Sequence, residues 1–376
     1  MPRLPLLRRA PHQGTAEPRP VELLHIGTAL AVTLVAATLM AGGLLAAALA
    51  WMGLPSKLMV DTGNLLEIIK ISLAVVGGIG GAVALVVAYR KQRLAEEENQ
   101  RARLTARRED TKLYAERFDK AADKLGSEAP AVRLAGVHAL AALADDWAGG
   151  RQMCIDVLCA YLRMPPEPEP DIGQEPARHS TWRAMREVRA TTIRLIGAHL
   201  QRDAAVPWHG HDFDFTGVTF DASANFAGAV FSGGRVWFLG AVFSGDGIFF
   251  SSAVFSGAVV MFNRAVFSGS TGFVNATFSD SEISFEGAVF SAGRVSFAKA
   301  VFSNANVIFS GAVFSGSTVS FANAKFSGGW IPFDGAEFSG GDVDFTRVAE
   351  WSHPPTGLPE QATGLRLPSP PMSQPT

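Results

Sequence analysis

Cysteine is scarce in this sequence. The chain has only two, Cys154 and Cys159, and their spacing matches no metal-binding or redox motif. Two cysteines cannot supply the disulfide framework of a secreted scaffold, and they favour a reducing compartment. A charge excess is absent as well, because the formal net charge is −2. A chain without a strong basic field has no general attraction to nucleic acid, so we expect no nucleic-acid partner.

Charged residues are missing from two long runs, Ile26 to Leu54 and Ile71 to Tyr89. A membrane helix needs about twenty apolar residues. We therefore predict two transmembrane helices over residues 25–89 that contact the lipid bilayer. A cleavable signal peptide is the alternative for the first run, since Ala48-Leu49-Ala50 fits a cleavage site. The first run is, however, longer than the apolar segment of such peptides.

Basic residues predict the orientation of these helices. Arginines precede the first run, and Arg90, Lys91 and Arg93 follow the second, whereas only Lys57 and Lys70 lie between. The positive-inside rule places both termini in the cytoplasm. The expected location is the plasma membrane. The small-residue spacing Gly77-x-x-x-Gly81 within the second run is typical of close helix contacts and leaves a homo-oligomer open.

Catalytic motifs are also missing. The sequence has no Ser-His-Asp order, nucleotide fingerprint or supported pair of acids, so we predict no enzyme activity and no cofactor. His209 and His211 would share one face of a strand, an arrangement suited to a metal ligand pair. No third ligand lies nearby, and the pair fits equally the irregular entrance to the repeats, so no metal site is predicted.

A repeat of about twelve residues occupies the stretch from about Phe215 to Phe345. It reads Val-x-Phe-x-x-Ala-x-Phe-Ser-Gly-x-x. Alternation in extended segments sends the residues flanking each x inward and the x outward. Ser-Gly after the second phenylalanine is expected to turn a corner through positive φ. Stacked coils would then place phenylalanine on phenylalanine.

The Ala-x-Phe and Val-x-Phe columns resemble the pentapeptide-repeat family. That resemblance implies a right-handed quadrilateral β-helix and, for the members associated with quinolone resistance, binding to DNA gyrase. The phenylalanine spacing alternates between five and seven. Four faces per coil would use about twenty-four residues, and one repeat per coil would give a thinner and longer rod. The coil perimeter stays open at this point.

Helical patterns fill the stretch before the repeats. The apolar stripe in Val132 to Ala144 resembles a HEAT-type helical hairpin. Together with Arg151 to Arg163 it resembles the module that precedes the repeats in many membrane-anchored bacterial pentapeptide-repeat proteins. That resemblance implies the plasma membrane of a bacterium. The predicted fold is α+β and multidomain. Its parts are a disordered basic arm (1–24), a transmembrane hairpin (25–89), a charged helical stalk (90–125), a helical module (126–202), a β-solenoid (203–350) and a disordered Pro-rich tail (351–376).

The expected function is a membrane-tethered, non-enzymatic scaffold whose cytosolic solenoid binds an unknown protein, because solenoids offer long surfaces and few pockets. A DNA-mimicking inhibitor of an enzyme such as gyrase is the alternative. It needs a strongly acidic rod, whereas the acids of the repeats gather near the end, at Asp334, Glu337, Asp342 and Asp344.

A candidate contact patch comes from the outward x between the β-branched residue and the phenylalanine. Its large apolar members cluster in the first repeats, at Trp237, Phe249 and Met261, and such clusters often mark contacts. The competing hypothesis is that the patch docks the helix predicted at Thr181 to Leu200, because a solenoid end needs a cap. Ser284 occupies the same outward column and is expected to be exposed.

Overall fold

The structure is a computed structural model that describes residues 26–51 and 62–368. It divides into two compact units, Met1–Arg108 and Glu109–Thr376. The predicted basic arm, the loop between the two apolar runs and the end of the Pro-rich tail lie outside the described residues.

The helices come first along the chain. They are α1 (Ile26–Trp51), α2 (Thr62–Leu125), α3 (Pro130–Asp146), α4 (Arg151–Arg163) and α5 (Pro176–His199), with a 3₁₀ turn at Ala148–Gly150 before α4. Pro130 and Pro176 open the first turns of α3 and α5, where a missing N–H costs nothing. Together α3, α4 and α5 confirm the predicted helical region, and its likeness to HEAT hairpins stays a prediction.

One helix of the described chain is a candidate membrane span. The segment Ile69–Leu125 contains an 18-residue window with a mean hydropathy of 2.4, and none of that window is buried. In the first run, the described apolar stretch is Thr38–Ala48, which is shorter than the roughly twenty residues that cross a bilayer core. The predicted two-helix transmembrane hairpin is therefore corrected to one candidate membrane helix.

The second unit contains a β-solenoid of about 6 turns with four parallel sheets. We number its faces in the order in which the chain visits them. The strands of face 1 are β1 (Phe213–Asp214), β5 (Arg235–Trp237), β9 (Val259–Met261), β13 (Glu282–Ser284), β17 (Ala305–Ile308) and β21 (Gly329–Trp330). The strands of face 2 are β2 (Thr219–Phe220), β6 (Val242–Phe243), β10 (Val266–Phe267), β14 (Val289–Phe290), β18 (Val313–Phe314) and β22 (Glu337–Phe338).

Face 3 consists of β3 (Ala224–Asn225), β7 (Asp246–Phe249), β11 (Ser270–Gly272), β15 (Arg294–Ser296), β19 (Thr318–Ser320), β23 (Asp342–Asp344) and β24 (Leu365–Arg366). Face 4 consists of β4 (Val230–Ser232), β8 (Val254–Ser256), β12 (Thr277–Ser279), β16 (Val301–Ser303) and β20 (Lys325–Phe326). Val266 pairs with Val242 and Val295 with Thr271, so one coil takes about twenty-four residues. The four-faced alternative is the correct one.

Phenylalanine fills the solenoid interior, as predicted. In the column of face 2, Phe267 stacks on Phe243 with ring centroids 4.8 Å apart and on Phe290 at 4.9 Å. Three further columns run parallel to it, one at the end of each other face. Rings from neighbouring columns meet edge to face, as Phe262 and Phe273 do at 88°. Parallel stacking along the axis and T-shaped contacts across it both suit the aromatic quadrupole.

Two kinds of corner separate the faces. The predicted Ser-Gly corner has positive φ before face 1, at Gly233 and Gly257, but not at Gly245 and Gly269 before face 3. Gly269 serves close approach, because an added Cβ would lie 2.4 Å from the carbonyl oxygen of Gly245 in the previous coil. The other corner is Phe-x-x-Ala, in which the residue before alanine always has positive φ, as at Gly311.

Both ends of the solenoid are covered. At the first coil, the backbone N–H of Val230 donates to the carbonyl of Leu200 beyond α5. At the last coil, the Trp351 ring meets Phe326 and Phe345 edge to face at 5.3 and 5.6 Å, and β24 adds a strand to face 3. Residues 351–368, predicted to be disordered, instead form a final irregular turn because their apolar side chains cover the end of the phenylalanine columns.

Candidate protein-interaction surface

Trp237 and Met261 are neighbours on face 1. They are Cα partners in the pairing of β5 with β9, and both side chains are partly exposed. The Arg235 guanidinium lies 5.3 Å from the centre of the Trp237 ring and also pairs with Asp212 at 2.8 Å. Burial is the largest single influence on the pKa of Asp212, and it raises that pKa. The hydrogen bonds and the charge of Arg235, together with His211, outweigh burial, so the pKa of Asp212 is lowered. Asp212 therefore neutralises much of the positive charge that Arg235 brings to this edge of the patch.

Phe249 lies on the opposite face of the solenoid. It ends β7 in the sheet of face 3, and 44% of its surface is exposed. Its strand partners are Asn225 and Gly272, neither of which covers the ring with an apolar side chain. The structure therefore divides the candidate contact patch into a pair on face 1 and a single ring on face 3.

Leu239 extends the pair on face 1, and the sequence analysis missed it. This residue follows Trp237 by two positions, at the corner towards face 2, and is 36% exposed. The corresponding corner positions in the next two coils hold the polar Asn263 and Glu286. That departure from a polar column was the signal in the sequence. We name Trp237, Leu239 and Met261 the face-1 patch.

Ser284 corrects one expectation about the outward column. Ser284 is only 3% exposed, because its strand partners on either side are Met261 and Ile308. Their long apolar side chains flank the short serine and shield it from solvent. Outward direction in this sheet therefore does not guarantee exposure where a small residue stands between two large ones.

The helical module contacts the first coil beside the face-1 patch. The contacts of α4 and α5 with the solenoid concentrate on β1 and β3. Arg163 of α4 bonds Asp214 at 2.7 Å, and Arg186 of α5 bonds Asp221. The apolar side of α5 is buried, at Val188, Ile193, Ile196 and Leu200. On face 1 the module therefore reaches Asp214, the strand partner of Trp237, and it borders one edge of the face-1 patch.

His209 and His211 serve different partners rather than a shared ligand. Gly210 between them has a φ of 77°, so the segment is not a strand. The Nε2 of His209 lies 3.0 Å from the Leu200 carbonyl, and the Nδ1 of His211 lies 3.1 Å from the Gln152 side chain. Burial lowers the pKa of His211, which favours its neutral form. Within the part of the chain described, no cluster of three or more His, Cys, Asp or Glu side chains could hold a metal ion.

The isolated helical histidines differ in environment. His138 is exposed. His199 stacks on Trp208 at 4.0 Å, and its ring nitrogens lie near the Leu195 carbonyl and Asp145. Trp208 donates its indole N–H to the same Asp145 at 2.9 Å. This cluster joins α3, α5 and the entrance to the solenoid, and it lies in a packed interior rather than an open site.

The two cysteines are interior residues of α4. Both are fully buried and free. Burial raises the pKa of Cys154 to about 11 and that of Cys159 to about 12. A thiol that stays protonated is a poor nucleophile, so neither residue is placed for chemistry.

Two open clefts lie on the second unit. One of about 970 Å³ lies between the first half of α5 and the corner that leads to face 3. Another of about 500 Å³ lies on face 3 beside Phe249. The acids named for the DNA-mimic alternative lie in the last full coil, where Asp342 is paired with Arg366.

Comparison with known proteins agrees with the fold. Residues 297–349 match the family described as Pentapeptide repeats (9 copies). No curated protein and no solved structure matches the chain. The four-faced solenoid shows that the second unit is a repeat structure of the β-helix class. In particular, it carries pentapeptide repeats, and one long apolar helix precedes them.

Proposed function

We propose that this protein is a membrane-tethered, non-enzymatic scaffold whose solenoid binds another protein through the face-1 patch. The observation that carries the proposal is the exposure of Trp237, Leu239 and Met261 on a regular face whose two ends are already covered. The module occupies the first coil and Trp351 the last, which leaves the sides of the solenoid for binding. Apolar clusters on such a side commonly mark protein contacts.

The tether would be the apolar part of α2. None of its candidate membrane-spanning window is buried, as expected for a helix that contacts lipid. Arg90, Lys91 and Arg93 follow the apolar run and are exposed, so the positive-inside rule favours a cytoplasmic position for everything beyond them. In a bacterium this would be the inner side of the plasma membrane.

Crosslinking in isolated membranes tests the proposal. The full chain is compared with the double variant Trp237→Ser and Met261→Ser, and with Ser320→Ala on face 3 as the matched control. We expect crosslinked species of defined mass with the original chain and the control, and their loss in the double variant with an unchanged unfolding midpoint. A lower midpoint in the double variant would instead assign the patch to fold stability, and unchanged crosslinks would remove its role in binding.

A further inference from the structure

A bulge in face 3 sets the position of Phe249. The register between β7 and β11 shifts between Ser270 and Thr271, because β7 contains one additional residue, Gly247. This glycine has a φ of 117°, and a Cβ added to it would lie 3.1 Å from the Phe249 ring. The ring therefore lies against a glycine that no other residue could replace without strain. Bulges commonly re-aim side chains beside functional sites.

An open cleft of about 500 Å³ begins at this ring. A Cβ added to Gly272, the strand partner of Phe249, would lie 3.8 Å from the ring, so the glycine leaves free space beside an exposed aromatic surface. Further residues that line the cleft are Ser270, Thr271, Gly293, Arg294, Ser296 and Thr318. The cleft thus has an apolar end at Phe249 and a hydroxyl-rich, cationic end two strands away.

Arg294 supplies the cation. It is exposed, and it forms no ion pair among the residues that the structure describes. Its strand partner in β19 is the neutral Thr318. The next residue of that column, Asp342, is already paired with Arg366. Asp246 lies at the other end of the same column, two strands from Arg294.

We propose that this cleft binds an extended acidic peptide segment of a partner protein. An apolar side chain of the peptide packs over Gly272 against Phe249, and a carboxylate pairs with Arg294. The strands of the two residues are separated by two strand spacings, or roughly 10 Å. A carboxylate and an apolar group three or four residues apart on an extended peptide span about this distance, at roughly 3.3 Å per residue.

The charges of face 3 select this occupant over a polyanion. A nucleic acid or an anionic membrane that lay along the face would meet Asp246 and Asp344 as well as Arg294. A single carboxylate that enters at the middle of the face meets only the guanidinium. This site goes beyond the function proposed for the face-1 patch, since it lies on the opposite face and does not depend on it.

Fluorescence anisotropy with defined probes tests the proposal on the full chain in detergent. The probes are fluorescein-labelled peptides that contain one phenylalanine and one glutamate separated by two or three glycines. The control peptides carry glutamine in place of glutamate. We expect saturable binding of a glutamate peptide, and an affinity about tenfold lower for its glutamine counterpart, as for the loss of a charged hydrogen bond.

Two single variants and a matched control locate the site. Arg294→Gln and Phe249→Ser should each weaken binding by about tenfold, whereas Arg264→Gln, which removes an exposed arginine at the corner between faces 1 and 2, should not. Unchanged far-UV circular dichroism confirms that each variant is folded. The proposal is overturned if binding does not saturate, if glutamine peptides bind equally well, or if Arg264→Gln weakens binding as much as Arg294→Gln.

Discussion

At the scale of single residues, the interior of the solenoid depends on aromatic stacking. Phe290 is fully buried, and its ring lies 4.9 Å from Phe267 and 4.8 Å from Phe314. Phe290→Ala removes both stacking contacts and leaves a cavity that rigid strands cannot close. We expect a loss of about 3 to 5 kcal/mol in the free energy of unfolding. Chemical denaturation measures it, with the partly exposed Ser320→Ala as the control. Equal midpoints for the two variants would contradict the inward assignment.

Thr271 is a polar residue in the inward column of face 3. The other residues of this column are apolar, from Ala224 and Ile248 to Val343 and Leu365. Thr271 is 2% exposed, and its hydroxyl has no hydrogen-bond partner. An unpaired buried hydroxyl costs about 1 to 3 kcal/mol, and valine has the same shape without it. Thr271→Val should therefore raise the unfolding free energy by about 1 kcal/mol. The exposed neighbour change Ser270→Ala should not. A destabilised Thr271→Val would show that the hydroxyl is satisfied in solution.

Cys159 makes the stability of the helical module depend on alkaline pH. Burial raises its pKa to about 12, against the opposing effect of a hydrogen bond from the Asp214 backbone. A raised pKa in the folded state means that the stabilising contribution is complete below the ordinary thiol pKa of about 8.5 and is lost as the pH rises towards 12. The stability cost of Cys159→Ala, measured by urea denaturation, should thus shrink between pH 8 and pH 10.5. A pH-independent cost would argue against a buried thiol.

At the scale of the repeat element, the sequence predicted the inward and outward positions well. Alternation around each phenylalanine placed the aromatic and alanine columns inside without further information, because a period of two leaves no other choice. The sequence did not specify the perimeter, since phenylalanine spacing alone fits one or two repeats per coil. It also misplaced the exposure of Ser284, because that depends on Met261 and Ile308 in neighbouring coils, which only the register brings together.

The Phe-x-x-Ala corner places backbone strain on the residue before alanine wherever that residue is not glycine. Ala300 donates its backbone N–H to the Phe297 carbonyl at 3.0 Å, and Lys299 between them has a φ of 59°. A residue with a side chain in this φ region costs about 1 to 2 kcal/mol of stability. Glycine removes that strain, but its greater backbone freedom in the unfolded chain offsets part of the gain. Lys299→Gly should therefore stabilise the protein by about 1 kcal/mol. At the equivalent Gly311, where φ is 64°, alanine should destabilise it. Thermal unfolding that gave both changes the same sign would exclude this corner geometry.

At the scale of the whole molecule, the ends of the solenoid were harder to predict than its middle. The first cap requires polar pairs between distant parts of the chain, such as Arg163 with Asp214 and Arg186 with Asp221. No periodic pattern in the sequence predicts these pairs. The last cap lies in a Pro-rich segment whose composition is typical of disorder. Its Trp351 nevertheless covers the end of the phenylalanine columns. Of the candidate patch, the residues were identified from sequence, but their division between faces 1 and 3 followed only from the perimeter.

The contact between α5 and the solenoid depends on one glycine. Gly197 is buried within the last turn of α5, and a Cβ added to it would lie 2.6 Å from the carbonyl oxygen of Asn225 in β3. In an isolated helix, glycine to alanine is stabilising by about 1 kcal/mol. Here the methyl group would push α5 away from a backbone oxygen that cannot yield, so Gly197→Ala should destabilise the second unit. The neighbouring, exposed Ala198→Gly measures helix propensity alone and should cost about 1 kcal/mol. Hydrogen exchange gives the decisive readout, because lifting α5 would expose Val230, whose N–H donates to Leu200, while strands in the middle of the solenoid stay protected. A Gly197→Ala variant more stable than the original chain would show that the helical module does not pack on the first coil in this way.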